Sequence, residues 1–244
     1  MINYMKSEHY RLLRKKGLYI TSVICLLLIA AAAVVLYYSQ HLDPNFPYAT
    51  SMFLYANVIS GALLIMIVAL LFNSTLTGKD TSLIKQSVSF GVSRHTIFWS
   101  KLILTLSYFL LQCVIGLLLT IALGETLLAS GEQSVSNFLI ASSNMIPIVL
   151  SGFFMIHTLK MLKVSEVYII IIFLFIYVFS DDLLYMLFDN TLFDYNPSTL
   201  LNENLMSFMN NSAQFDYRHW VTGILVSVIF LLIGVKGFAK QNID

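Results

Sequence analysis

The chain has 244 residues, 58% of them hydrophobic and 11% charged, with a formal net charge of +1 and a mean hydropathy of +0.80. That composition excludes a water-soluble protein, because most of the surface it can build must face lipid.

Six long apolar stretches follow one another, over residues 17–38, 51–72, 101–123, 137–159, 164–180 and 220–238. Their lengths lie close to the ~20 residues with which a helix crosses the hydrocarbon core, the fifth being slightly short. The expected fold is an all-α integral membrane protein. A single six-helix domain over 17–240 is preceded by an amphipathic helix at 1–16 and followed by a short tail, 241–244. Threading the stretches in and out leaves thirteen of the fourteen Lys and Arg residues on one side and only Arg218 on the other. By the positive-inside rule both termini are cytoplasmic. The acids divide the opposite way: nine, Asp43, Glu125, Glu132, Asp181, Asp182, Asp189, Asp194, Glu203 and Asp216, fall outside, and four fall inside.

The N-terminal segment sets Ile2, Met5, Leu12 and Leu13 against Lys6, Arg11, Arg14 and Lys15, an imperfect amphipathic helix suited to the inner leaflet. Its charges are explained by topology and by anionic lipid. Nucleic acid is not an expected partner, because no reader fold surrounds the patch. The first stretch has a basic flank like a signal peptide, but it lacks a small-residue cleavage site after Tyr37 and Tyr38 and is read as an uncleaved helix. Cys25 and Cys113 lie inside apolar spans, at depths expected to differ, and are read as small packing residues.

The connection over 73–100 holds a short amphipathic helix: Asp80 or Thr81 caps it, Leu83, Ile84 and Val88 share a face, and Gly91 stops it. Such a helix also suits the interface plane on its own account. Short turns at 123–136 and 160–166 make spans three, four and five antiparallel neighbours. The last long connection, 181–219, is acidic and interrupted by apolar pieces at 183–188 and 200–209. The piece at 183–188 reads as a re-entrant or surface-lying helix that helps close the outer end, or the connection is an external loop with buried anchors. Asp181 and Asp182 mark the outer boundary, since an acid at the bilayer centre costs about 2.5–3.5 kcal/mol.

Small residues at Ala30 to Ala33, Ser60 to Ala62, Gly116, Ser151 and Gly152, and Gly234 with Gly237 suit close helix packing. Residues with catalytic chemistry are few. The histidines are scattered, His157 alone lies near the apolar zone, and no metal, hydrolase or phosphate-loop motif is present. No catalytic residue, cofactor or metal is therefore expected on this chain. No inverted repeat and no Gly- or Pro-broken span of the transporter kind is evident either.

Taken in order, the basic start from Lys6 to Lys16, the six spans, Gly91-Val92-Ser93-Arg94 with Phe98-Trp99-Ser100-Lys101, the long segment before span six, and the tail from Phe238 to Asp244 resemble one family along the whole chain. The resemblance is to permease subunits of type-2 ABC exporters, in the bacitracin-resistance, lantibiotic-immunity and cytolytic-peptide-export group. It implies an N-terminal elbow helix, a coupling helix docked on a soluble ABC ATPase that holds the ATP and Mg, and a second permease copy or related permease. On that likeness Leu83, Ile84, Val88 and Phe90 contact the ATPase, with Lys85 and Arg94 at the rim. It also implies a bacterial cytoplasmic membrane and a transport subunit rather than an enzyme. Asp181, Asp182, Tyr185 and Phe188 are the expected outer gate or cargo contact, for amphipathic or antimicrobial peptides. A lipid or glycolipid exporter, and an ATP-independent transporter or channel, are the alternatives.

Overall fold

The computed structural model describes residues 2–43, 45–77, 81–180 and 193–241. In chain order the helices are α1 (Ile2–Leu12), α2 (Lys16–Leu42), α3 (Ser51–Ser60), α4 (Ala62–Thr77), α5 (Thr81–Ser89), α6 (Arg94–Leu127), α7 (Ser134–Met161), α8 (Glu166–Tyr177), α9 (Pro197–Met209) and α10 (Tyr217–Lys240). A short 3-10 turn over Phe193–Tyr195 precedes α9, and an isolated bridge pairs Thr50 with Ala129.

Helix ends follow local chemistry. Thr50, Ser93, Asn196 and Asp216 cap α3, α6, α9 and α10 by accepting from Phe53, Thr96, Ser198 and Arg218 amides. Three helices stop in the same way. Beyond α5, α7 and α9 the chain turns left-handed at Gly91, Lys163 and Asn211, and the following amides, of Val92, Val164 and Ser212, return to Ser87, Leu159 and Ser207 carbonyls.

Four helices, α2, α6, α7 and α10, are long and apolar enough to cross a membrane, which marks a membrane protein. The second apolar stretch is α3 and α4, bent by 57° at Gly61, and counts as one more span if the pair is taken together. This corrects the expectation of unbroken spans. A Cβ on Gly61 would lie 2.9 Å from the Asn57 carbonyl oxygen and 3.3 Å from that of Val58, so glycine permits a bend that a side chain would obstruct. In the fifth stretch α8 covers Glu166–Tyr177, about 18 Å at 1.5 Å per residue, short of the ~30 Å core.

At the centre stands α7, with 67% of its most apolar window buried, against 11% for α2. It packs mainly between α10 and α4, and much less on α6 and α8, its neighbours in sequence. The seams use small residues: a Cβ on Gly152 would meet Met66 Sδ at 2.6 Å, and one on Gly223 would meet the Pro147 carbonyl carbon at 2.5 Å. The main core joins Met66, Phe98, Phe109, Phe153, Ile156 and Phe173 across α4, α6, α7 and α8. α2 runs beside α6, where Gln112 Nε2 donates to the Ser22 carbonyl at 3.4 Å and Gly116 meets Ile29. That register sets Cys113 alongside Cys25, correcting the expected difference in depth.

Candidate functional site

α5 is suspended between the end of α4 and the start of α6, and its apolar side chains divide. Ile84 and Val88 are half-buried against the main core. Leu83 and Phe90 are 38% and 83% exposed, and Lys85 is exposed as well. The sequence placed Leu83 with Ile84 and Val88 on one face; instead Leu83 turns out while the pair four residues apart turns in. Arg94 is half-buried, and its Nη1 donates to the Ala239 and Gln241 carbonyls at 2.8 and 2.6 Å, closing the end of α10 with a cation. Lys15 does the same for α4, its Nζ donating to the Thr75 and Leu76 carbonyls at 3.0 Å. Lys160 pairs with Glu166, which also accepts from the Ser74 hydroxyl at 3.0 Å.

A buried polar cluster lies at this same end of the bundle. α1 packs on α6 through Tyr4, Glu8 and Leu12 rather than through Ile2 and Leu13, which are exposed. Glu8 is buried and accepts from Arg11 at 2.6 Å and from the buried Lys101 at 3.3 Å. Pairing keeps both charges tolerable away from water. One turn further along α6, the Thr105 hydroxyl faces His157 Nδ1 at 3.4 Å, and Asn73 Oδ1 faces the same nitrogen at 2.8 Å. Asn73 Nδ2 is directed to the Ala69 carbonyl, so Oδ1 accepts and His157 carries its proton on Nδ1. His157, the one histidine that the sequence puts near the apolar zone, is fully buried at the meeting of three helices.

A second polar assembly closes the opposite end. Asn144 of α7 donates to Asn204 Oδ1 at 3.1 Å and to the Gln214 carbonyl at 2.8 Å, and accepts from the Asp216 amide at 3.0 Å. Asn204 of α9 donates in turn to the Ala141 carbonyl at 2.9 Å. His219 Nε2 donates to the Leu200 carbonyl at 2.9 Å, and Arg218 pairs with both Glu203 and Asp216. Burial would raise the Asp216 carboxyl, but the hydrogen bonds and charge of Arg218 outweigh it and hold that carboxyl below its ordinary value. Helix α9 is thus fastened over the ends of α7 and α10, with Leu200 and Phe208 buried beneath it. The sequence marks 200–209 as an apolar piece, while the helix it suggests at 183–188 lies outside the described residues; the asparagine clasp had no sequence signal. The expected gate residues Asp181, Asp182, Tyr185 and Phe188 lie outside the described residues.

Two lateral features complete the picture. Asn57 and Ser60, beside the Gly61 bend, are exposed on an otherwise apolar span, with Asn57 Nδ2 donating to the Phe53 carbonyl and the Ser60 hydroxyl to that of Asn57. A wholly apolar groove of about 130 Å³ opens between α4, α7 and α8, lined by Met66, Leu70, Ile156, Ile169, Phe173 and their neighbours. Among the described residues no group of three His, Cys, Asp or Glu side chains is arranged to hold a metal. Comparison of the chain with protein-family models, with curated proteins and with solved structures finds no match.

Proposed function

We propose that the chain is the permease subunit of an ATP-driven exporter, with α5 as the docking helix for a separate ATPase that binds ATP and Mg. The observation that carries this reading is α5 itself: a nine-residue helix hung between two spans, anchored by Ile84 and Val88 and presenting Leu83 and Phe90 outward. An interfacial helix in lipid would need its apolar side chains on one face; here two opposing sets are used, one for the bundle and one left for a partner. Lys85 lies beside the outward set, while Arg94 serves as an anchor. In this reading α1 is the elbow helix, and α8 belongs to the fifth of six spans. Both termini are cytoplasmic in a bacterial membrane, and a second permease copy completes the pathway. Asn57 and Ser60 supply polar groups to that pathway, since an amide facing only hydrocarbon is costly.

The sidedness has a direct check. Single cysteines at Ser134 and Asn211 are expected to react with a membrane-impermeant thiol reagent on intact cells, and one at Ser87 only after permeabilisation. Reaction of the Ser87 variant alone on intact cells reverses the orientation.

For cargo, the reading favours cationic amphipathic peptides, because the acids collect on the outer side beside exposed aromatics such as Tyr195 and Phe215. A strain lacking the chain is expected to become sensitive to such peptides, to recover with the wild-type chain, and to stay sensitive with Leu83→Asp/Phe90→Asp. Unchanged peptide survival together with lost export of a lipid or glycolipid moves the cargo to that class. A second reading, an ATP-independent transporter, is favoured by the Gly61 break, since broken helices line transporter binding sites. It expects a matching break in the other half of the chain, and among the described residues the α3–α4 pair is the one bent pair.

A further inference from the structure

We propose that α7 is the element that couples α5 to the clasp over α9, and that His157 is the positioning residue at its inner end. This deepens the reading above by naming the part that carries motion between the two ends.

The two arms from which α5 hangs are α4 and α6. Asn73 lies four residues before the end of α4, and Thr105 lies on the buried side of α6. Both face one atom, Nδ1 of His157, so a single imidazole on α7 ties the arms together at the base of α5. Its ring is held by Phe98 of α6 at 5.5 Å, edge to face, and by Phe153 of α7, stacked at 6.3 Å. A rotation of α5 that spreads or twists its arms must break this bond or turn α7 with it.

The same helix carries Asn144 near its midpoint, beneath α9. Thirteen residues separate His157 from Asn144, about 20 Å along an α-helix. Between them α7 does not move alone. Gly223 of α10 lies against Pro147, the Thr158 hydroxyl donates to the Phe230 carbonyl at 3.0 Å, and Gly234 packs on Thr158 and Phe98. These close contacts leave α7 and α10 no room to slide independently, so displacement at His157 reaches both helices to which α9 is fastened. Asn144 and Asn204 then act as the receiving contact, because a shift of α7 against α9 breaks the Asn144–Asn204 bond and the bond from Asn204 to the Ala141 carbonyl.

The test is hydrogen–deuterium exchange on the purified full chain in detergent micelles, so it requires neither an ATPase nor a cargo and stands apart from the transport reading. His157→Leu removes the donor; His157→Gln keeps an N–H. In His157→Leu the amides of α5 and of α9 are both expected to exchange about tenfold faster, within the range of coupling between distant sites, with α2 unchanged. His157→Gln is expected to stay within about threefold of wild type. Because coupling is reciprocal, Asn144→Leu must also quicken exchange in α5. Should His157→Leu not yield folded protein, Thr105→Val, which removes only the weaker acceptor, is read in the same way with about a fivefold effect. Faster exchange in α5 with α9 unchanged, wild-type exchange of α5 in Asn144→Leu, or equal loosening of α2 overturns the proposal.

Discussion

Gly223→Leu is expected to abolish recovery of monodisperse protein from detergent extracts. A Cβ at this position would lie 2.5 Å from the Pro147 carbonyl carbon and 2.7 Å from its Cβ, against a proline in the middle of the most buried helix. Neither atom belongs to a flexible side chain that could move aside. Overpacking in a tight core costs about 1–3 kcal/mol when neighbours can shift, and here the cost is larger because α7 and α10 must separate along their length. Gly223→Ala is expected to give folded protein of clearly lower thermal stability. Size-exclusion profiles and thermal unfolding of the two variants make the check, and wild-type behaviour of Gly223→Leu would mean that the seam is not packed as described.

Asn144→Leu is expected to release α9. The substitution leaves Asn204 Oδ1, the Gln214 carbonyl and the Asp216 amide without the partner each has now. A buried polar group left unsatisfied costs about 1–3 kcal/mol, and the Asn204 oxygen is such a group on α9, so the hold on this thirteen-residue helix weakens. The expected signature is rapid proteolysis between residues 196 and 216 in a protein whose other helices, α5 apart, stay protected. Asn202→Leu, on the exposed face of the same helix, serves as the control and should leave the cleavage pattern unchanged.

Much of this architecture is visible in the sequence because the bilayer imposes simple rules. Apolar length marks α2, α6, α7 and α10, and Gly91 marks the end of α5 because a left-handed turn favours glycine. Other features depend on relations that no local pattern carries. Gly61 reads like any small residue in a span, and only the carbonyls facing it reveal a bend. Tyr55 meets Glu125 and closes over Gly124, a contact between residues 70 apart in sequence. His157 and Asn73 are 84 residues apart, and a lone histidine and a lone asparagine in apolar runs give no sign of each other. The N-terminal charges look like a solvated basic face, yet Lys15 caps α4 and Glu8 is buried against Lys101. Helical periodicity predicts which residues share a side. It does not predict which side the bundle takes, and for that reason Leu83 parted from Ile84 and Val88.

The central claim, that this chain is a permease driven by an ATPase through α5, is tested most directly by Mg·ATP hydrolysis in the chain isolated from native membranes under mild detergent. The wild-type chain is expected to carry a soluble ATPase with vanadate-sensitive activity. Leu83→Asp/Phe90→Asp is expected to insert and fold normally but to lose that ATPase and at least about 90% of the activity, as removal of two apolar anchors worth about 1.5–3 kcal/mol each requires. Hydrolysis absent from the wild-type preparation, or retained in full by the double variant, would contradict it.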